Sequence, residues 1–266
     1  MRIDAHGHAC GEYVTVDRIV TKLNENRLDK VVLFSGETGS SKIQKVGDHK
    51  HKEVLYFTNV FGTFFAKFMD FSRKIDRGNA HVYRMRQEAP DRIVQYYWST
   101  PRYVHKLEQD FREMQFAGIK LHQCIDYFGI HSDFFGKVLD FAELHSLPIL
   151  IHLYGRKDAS NLIDAIKERD VTVTIAHLFH DKVFEARWQE IESRISFDLA
   201  NYYLLNKSTV IRAINTFGGG KLIFGADNPY GANCIEKTLD LVASLPVTES
   251  EKAKILGENM QKILRN

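Results

Sequence analysis

The sequence predicts an α/β fold of the (β/α)8 TIM-barrel class, and three observations predict it. Apolar segments of strand length alternate with amphipathic helical stretches along all 266 residues. Eight strand segments can be counted, the number a closed barrel needs. Residues of special chemistry, chiefly histidines and one aspartate, end many of these strands, and in a barrel the C-terminal strand ends surround one mouth. An open doubly wound sheet competes, but it expects a Gly-x-Gly-x-x-Gly turn after the first strand, which is missing here.

The first strand is Arg2-Ile3-Asp4-Ala5-His6-Gly7-His8. Side chains alternate along a strand, so Asp4, His6 and His8 share one face and two imidazoles converge. Val16, Ile19, Val20 and Leu23 recur at helical spacing and predict a helix over 16–26. Residues 30–35 are nearly all apolar, as a strand buried on both faces requires. An inserted segment, 36–76, then breaks the rhythm with a basic patch (Lys42, Lys45, Lys50, Lys52) and an aromatic run from Phe57 to Phe71. That run admits a core helix, a lid over the mouth, or a contact in a homodimer.

The alternation resumes with a helix over 82–88, stopped by Pro90, and a third strand over 92–98. Pro101 opens a helix to 114, at a position where its missing N–H is harmless. The remaining strands are 118–122, 149–152, 171–177, 195–200 and 221–227, with helices over 134–145, 159–169, 183–192 and 208–217 between them. Two helices close the chain, 235–244 and 249–264, the second opened by a Thr248/Glu251 capping box.

Composition narrows the function classes. With 44% apolar residues the chain can bury a large core, and 1–266 reads as a single domain. A formal net charge of +2 offers no field for nucleic acid or an anionic membrane. Three scattered cysteines (Cys10, Cys124, Cys234) form no Cys-x-x-Cys pair and fit a reducing compartment. No leader-like or bilayer-length apolar run is seen, so the expectation is a cytoplasmic protein acting on a small molecule.

His6 and His8 end the first strand, His122 the fourth, His152 the fifth, His177 the sixth and Asp227 the eighth. Imidazole and carboxylate are common ligands for Zn²⁺-like ions, and so many at one rim point to a metal site. Lys120 shares a face with His122, one layer deeper.

At this point the chain resembles a known family. Asp4-Ala5-His6-Gly7-His8, Gly118-Ile119-Lys120-Leu121-His122, Ile151-His152, Ala176-His177, Phe224-Gly225-Ala226-Asp227-Asn228-Pro229 and Ile255-Leu256-Gly257-Glu258-Asn259-Met260 resemble the amidohydrolase-2 branch of the amidohydrolase superfamily. That branch holds metal-dependent hydrolases and non-oxidative decarboxylases on TIM barrels. The resemblance implies His6, His8, His152 and Asp227 as ligands of one divalent ion, Zn²⁺ first. It further implies a metal-activated water, with Asp227 as general base.

His177 has two readings, a catalytic group polarising substrate or a ligand to a second ion. Lys120 is either carboxylated between two metals or an ammonium that holds a substrate carboxylate, and His122 is a candidate substrate donor. Asp4, deeper on the ligand face, is expected to be either the acceptor for a ring N–H of a ligating histidine or a structural group. The expected reaction is hydrolysis of a small amide, lactone or ester. Non-oxidative decarboxylation of a small aromatic or unsaturated acid is the alternative.

Overall fold

A computed structural model describes residues 1–36, 41–43 and 70–265. Its strands are β1 (Ile3–His8), β2 (Lys30–Phe34), β3 (Ile93–Gln95), β4 (Tyr97–Trp98), β5 (Ile119–His122), β6 (Ile149–His152), β7 (Val173–Ile175), β8 (Ile195–Asp198) and β9 (Leu222–Ile223). Neighbours pair in parallel in two runs, β1-β2-β3 and β4 through β9 in order.

The predicted third strand is β3 and β4 together, broken at Tyr96. Tyr96 N–H still donates to Leu33 O at 2.9 Å and Tyr97 N–H to Gly118 O at 2.9 Å, so the two halves join the two runs. The break has an identifiable cause. Asn79, buried on the helix Phe71–Glu88, accepts from Trp98 N–H and donates to Trp98 O, each at 3.0 Å. A side-chain amide thus takes the place of a strand partner.

At the other seam, Ala5 N–H donates to Phe224 O at 3.0 Å, Asp227 N–H to His6 O at 2.8 Å and His8 N–H to Asn228 O at 3.1 Å. A parallel bridge joins Gly7 to Asn228. The eight predicted strands therefore close into a barrel, as the alternation predicted. Gly225 is required at this seam, because a Cβ there would stand 2.8 Å from His6 Cβ. Gly257, in the terminal motif, lies so close to β1 that a Cβ would fall 2.2 Å from Met1 O. Asn259 in the same motif donates to Gly219 O at 2.9 Å and Leu222 O at 2.8 Å, anchoring β9 from below.

One face of the strands (Val31, Leu33, Ile119, Leu121, Ile149, Ile151) packs with the helices in the main core. Alternate residues (Val32, Phe34, Trp98, Leu150, Ile223) form a second cluster. Burying each such side chain stabilises the fold by about 1.5–3 kcal/mol.

Several boundaries differ from expectation. The helix predicted over 82–88 runs from Phe71 to Glu88, so the inserted segment ends before 71 instead of at 76. Basic residues and a polar buried Asn79 disguise its inward stripe of Ile75, Val82 and Met85. The helix predicted from Pro101 starts at Leu107, since 101–103 form a turn with Tyr103 N–H on Thr100 O. The predicted strands over 171–177 and 221–227 stop at Ile175 and Ile223, because His177 and Asp227 adopt left-handed backbone. The terminal helix is interrupted by a π-helical turn at Lys254–Glu258, and the Thr248/Glu251 capping box is formed. The lid, core-helix and homodimer readings of the Phe57–Phe71 run fall almost wholly outside the described residues. Among the described residues no helix is long and apolar enough to cross a membrane.

Replacing Asn79 by Leu leaves two buried backbone groups of Trp98 unsatisfied, an expected loss of about 2–4 kcal/mol. Urea unfolding should show a lowered midpoint at unchanged slope; an unshifted midpoint contradicts this account of the strand break.

Candidate metal centre

His6, His8 and Asp227 each offer one ligand atom, and the three atoms lie within 4.8 Å of one another in a fully buried setting. β1 delivers the two histidines, and the left-handed residue after Ala226 turns the Asp227 side chain toward them. Asp227 Oδ1 stands 3.3 Å from His6 Nε2 and 3.3 Å from His8 Nε2. Its Oδ2 accepts from Asn201 Nδ2 at 3.0 Å, which fixes the carboxylate plane.

Ring protons are assigned by their partners. His6 Nδ1 lies 2.7 Å from Asp198 Oδ2 and donates to it. Burial, reinforced by the Lys120 ammonium, pushes His6 well below its ordinary pKa, so the ring is neutral and Nε2 carries a lone pair. That lone pair faces Asp227 Oδ1. Burial opposes charge on Asp227, but the His6 ring beside it and its hydrogen bond with His8 outweigh burial and hold the carboxyl below its ordinary value. Two acceptors therefore face each other at 3.3 Å, with the Lys120 ammonium also 3.3 Å from His6 Nε2, a grouping that a shared cation stabilises. The separation also equals the edge of a coordination tetrahedron with bonds of about 2.0–2.1 Å, roughly 3.3 Å. The donor set fits a divalent ion.

His177 sits in a left-handed turn just after β7. Its Nδ1 donates to Ala200 O at 3.1 Å, leaving Nε2 to accept from His152 Nδ1 at 3.1 Å. His152 Nε2 is then an unpartnered, buried lone pair. Burial and the adjacent His122 push His152 well below its ordinary pKa, which keeps that lone pair available. His152 groups with His122 and Cys124, their donor atoms within 4.8 Å of each other, and reaches the first cluster through His177.

Lys120 is fully buried, with Nζ 3.3 Å from His6 Nε2 and 4.7 Å from the centre of the Phe34 ring. His122 stacks on Trp98 (centroids 5.6 Å apart) and on His152 (4.0 Å). Phe34, Trp98 and Tyr230 surround His8 with edge-on rings at 4.6, 5.6 and 5.2 Å. All the predicted site residues thus meet at one barrel end.

Of the two readings of Asp4, ring acceptor or structural group, its hydrogen bonds support the second. Its carboxylate accepts from His6 N–H (3.1 Å), Ala226 N–H (2.9 Å) and Tyr13 O–H (2.9 Å), bridging the seam between first and last strands. Burial lifts its pKa to about 7 against those hydrogen bonds. The ring acceptor is Asp198, at the end of β8, which also accepts His177 N–H at 2.7 Å. Asp198, Asn201, Phe34 and Trp98 are functional candidates that sequence reasoning passed over. Only Trp98 carried a signal, as the end of the predicted strand 92–98; Phe34 and Asp198 end strands in the structure but lie inside the predicted strands 30–35 and 195–200.

No protein-family model matches the sequence, and no curated protein matches it. Solved structures resemble it over its whole length. A 2,6-dihydroxybenzoate decarboxylase complexed with 2,6-dihydroxybenzoate has a TM-score of 0.73 at 11% identity, with 100% of this chain and 99% of that one covered. A dihydroxybenzoic acid decarboxylase from Polaromonas, with bound manganese and the inhibitor 2-nitroresorcinol, has 0.69 at 12%, covering 99% and 96%. A protein of Acinetobacter baumannii described as probable 2-pyrone-4,6-dicarboxylic acid hydrolase, with citric acid bound, has 0.71 at 16%, covering 100% and 99%. At such identities the likeness establishes a shared fold.

Changing Asp198 to Asn removes the charged acceptor that holds the His6 ring, and affinity for the first Zn²⁺ equivalent should fall about 10–100-fold. Equilibrium dialysis measures it; unaltered affinity in a folded variant removes Asp198 from the metal centre.

Proposed function

We propose that the chain is a divalent-metal-dependent enzyme of the amidohydrolase-2 branch, a hydrolase that opens a small amide, lactone or ester. One observation carries the reading: the lone pair of His6 Nε2 and the anionic Asp227 Oδ1, buried and 3.3 Å apart, with His8 Nε2 equally close to the same oxygen. Neutral imidazoles with a carboxylate suit Zn²⁺, and the same set accommodates Mn²⁺. When bound, such an ion polarises the substrate as a Lewis acid and acidifies water.

The side chains supply the rest. His6 and His8 hold the ion through Nε2, Asp227 through Oδ1, and His152 offers a further Nε2. Asp227, kept ionised and clamped by Asn201, is the general base that removes the proton from the attacking water and returns it to the leaving group. His177, bonded to His152 and fixed by Ala200 and Asp198, orients the cluster and lies 5.2 Å from the His6 ring, close enough to act on a substrate. The Lys120 ammonium and the His122 ring form the anchoring side, suited to an anionic group on the substrate.

Decarboxylation is a second reading, favoured by the aromatic walls. Phe34 and Trp98 flank Lys120, with Lys120 Nζ 4.7 and 5.9 Å from the two ring centres, and Tyr230 adds a third ring beside His8. Such walls would seat a planar unsaturated acid against a cation. Decarboxylases of aromatic acids are among the similar structures.

Screening the Zn²⁺- and Mn²⁺-loaded protein against lactones, amides and aromatic acids separates the readings, because only decarboxylation releases CO₂. A loaded protein inert on every class counts against both. Chelation should abolish turnover and a divalent ion restore it. Asp227→Asn should lower kcat at least 10²–10⁴-fold with circular dichroism unchanged; a variant that keeps its rate disposes of the proposed base.

A further inference from the structure

His122, Cys124 and His152 play no common part in the reaction above, yet their donor atoms lie within 4.8 Å of one another. Two of the three show what a ligand site requires. His152, 8% exposed, has Nε2 without a hydrogen-bond partner, and His122 has a buried Nδ1 in the same condition. Their rings are stacked with centroids 4.0 Å apart and planes 16° apart, which holds the two side chains next to each other. Cys124, two residues beyond His122 at the end of β5, is buried at 4% exposure and forms no disulfide.

We propose that His122, Cys124 and His152 form a second cation site, selective for a thiophilic divalent ion such as Zn²⁺ or Co²⁺. The inference rests on the metal-dependent reading, since it places this site beside the first. Two imidazoles and a thiolate are a donor set that Zn²⁺ accepts with a fourth position open, whereas the oxygen-preferring Mg²⁺ and Ca²⁺ are excluded. Coordination replaces the Cys124 S–H proton, which leaves to solvent, and no oxidant or reductant is needed. Donor separations in a loaded site are roughly 3.3–3.6 Å, so binding draws the three side chains together.

The two sites share a residue. His152 Nδ1 is committed to His177, so its Nε2 serves one cation at a time. The first site then keeps His6, His8 and Asp227, and the second claims His152. Ion loading beyond one equivalent thereby repositions the His152–His177 pair that borders the reaction.

Cobalt is the probe, because a Co²⁺–thiolate bond produces a charge-transfer absorption in the near ultraviolet that imidazole and carboxylate do not. Metal-depleted full-length protein titrated with Co²⁺ should take up two equivalents, with the charge-transfer band growing alongside the second. Cys124→Ser should take up one and show no band, while a His6→Ala/His8→Ala variant should retain the band. Uptake of one equivalent without the band in the unaltered protein overturns the second site and leaves the first intact. Uptake of none overturns both. Should Cys124→Ser not fold, the band in the unaltered protein and its retention in the His6/His8 variant still decide.

Discussion

The backbone hydrogen bond from Asp227 N–H to His6 O, one of three across the seam between the first and last strands, helps close the barrel and brings the residues of the candidate metal centre together. It pairs the end of the chain's last strand with the middle of its first, across more than two hundred residues. The same register sets Asp227 Oδ1 against both His6 Nε2 and His8 Nε2. A slip of one residue at this seam would turn the histidines to the opposite face and dismantle the cluster. Asp4 reinforces it by accepting from His6 N–H and Ala226 N–H, one amide on each side. Glycine at 225 is the steric condition, because the incoming strand passes against His6 Cβ. The Phe-Gly-Ala-Asp run is thus as much a closure device as a ligand motif.

Water exclusion governs the rest of the site. Five imidazoles (His6, His8, His122, His152, His177) crowd one buried ammonium, Lys120, and burial with that charge keeps His6, His122 and His152 well below their ordinary pKa. Neutral rings must each place one proton, and the placements form a chain: Ala200 O accepts from His177, and His177 from His152, while Asp198 accepts from His6. The chain leaves the Nε2 lone pairs of His6 and His152 turned inward. Three of the positioning residues, His177, Asn201 and Asp227, have φ near +60°. Such conformations disfavour folding by roughly 1–3 kcal/mol each and persist only where surrounding bonds fix them. Here Asp198 holds the His177 amide and Tyr230 N–H holds Asp227 O.

Much of this was legible in the sequence, and the failures have physical causes. Strand order and the identity of His6, His8, His122, His152, His177 and Asp227 as residues of one rim follow from alternation and from strand ends sharing a mouth. Asp198 ends β8 in the structure, but the predicted strand runs on to 200, so a carboxylate inside it gave no strand-end signal. Asp4 was placed on the correct strand with two roles open, ring acceptor or structural group, and its hydrogen bonds support the second. Periodicity reports which face a side chain takes, and not whether its short carboxylate folds back onto backbone amides. The break at Tyr96 was invisible because Asn79, a helix residue, substitutes for a strand, and propensity has no term for that exchange. Most of segment 36–76 has neither a recognisable motif in sequence nor a described structure.

Charge balance links the geometry to the kind of substrate. On the proposed reading a dication and the Lys120 ammonium are set against the carboxylates of Asp198 and Asp227, with Asp4, lifted to about 7, ionised in part, which leaves a positive excess of less than one charge in a buried site. Burial raises the pKa of Asp198, so any shortfall in its ionisation enlarges that excess. An uncompensated charge in low dielectric is strongly unfavourable, and the partner that relieves it gains the most affinity. A neutral amide or ester leaves the imbalance in place, whereas a substrate carrying one carboxylate cancels it at Lys120. The aromatic faces of Phe34 and Trp98 beside that ammonium stabilise it without neutralising it, so they confine the substrate's anionic end to the Lys120 side. On the proposed reading, electrostatics would favour carboxylated substrates whichever bond is broken, and hydrolysis or decarboxylation would be decided by which atom of the bound acid is set against Asp227.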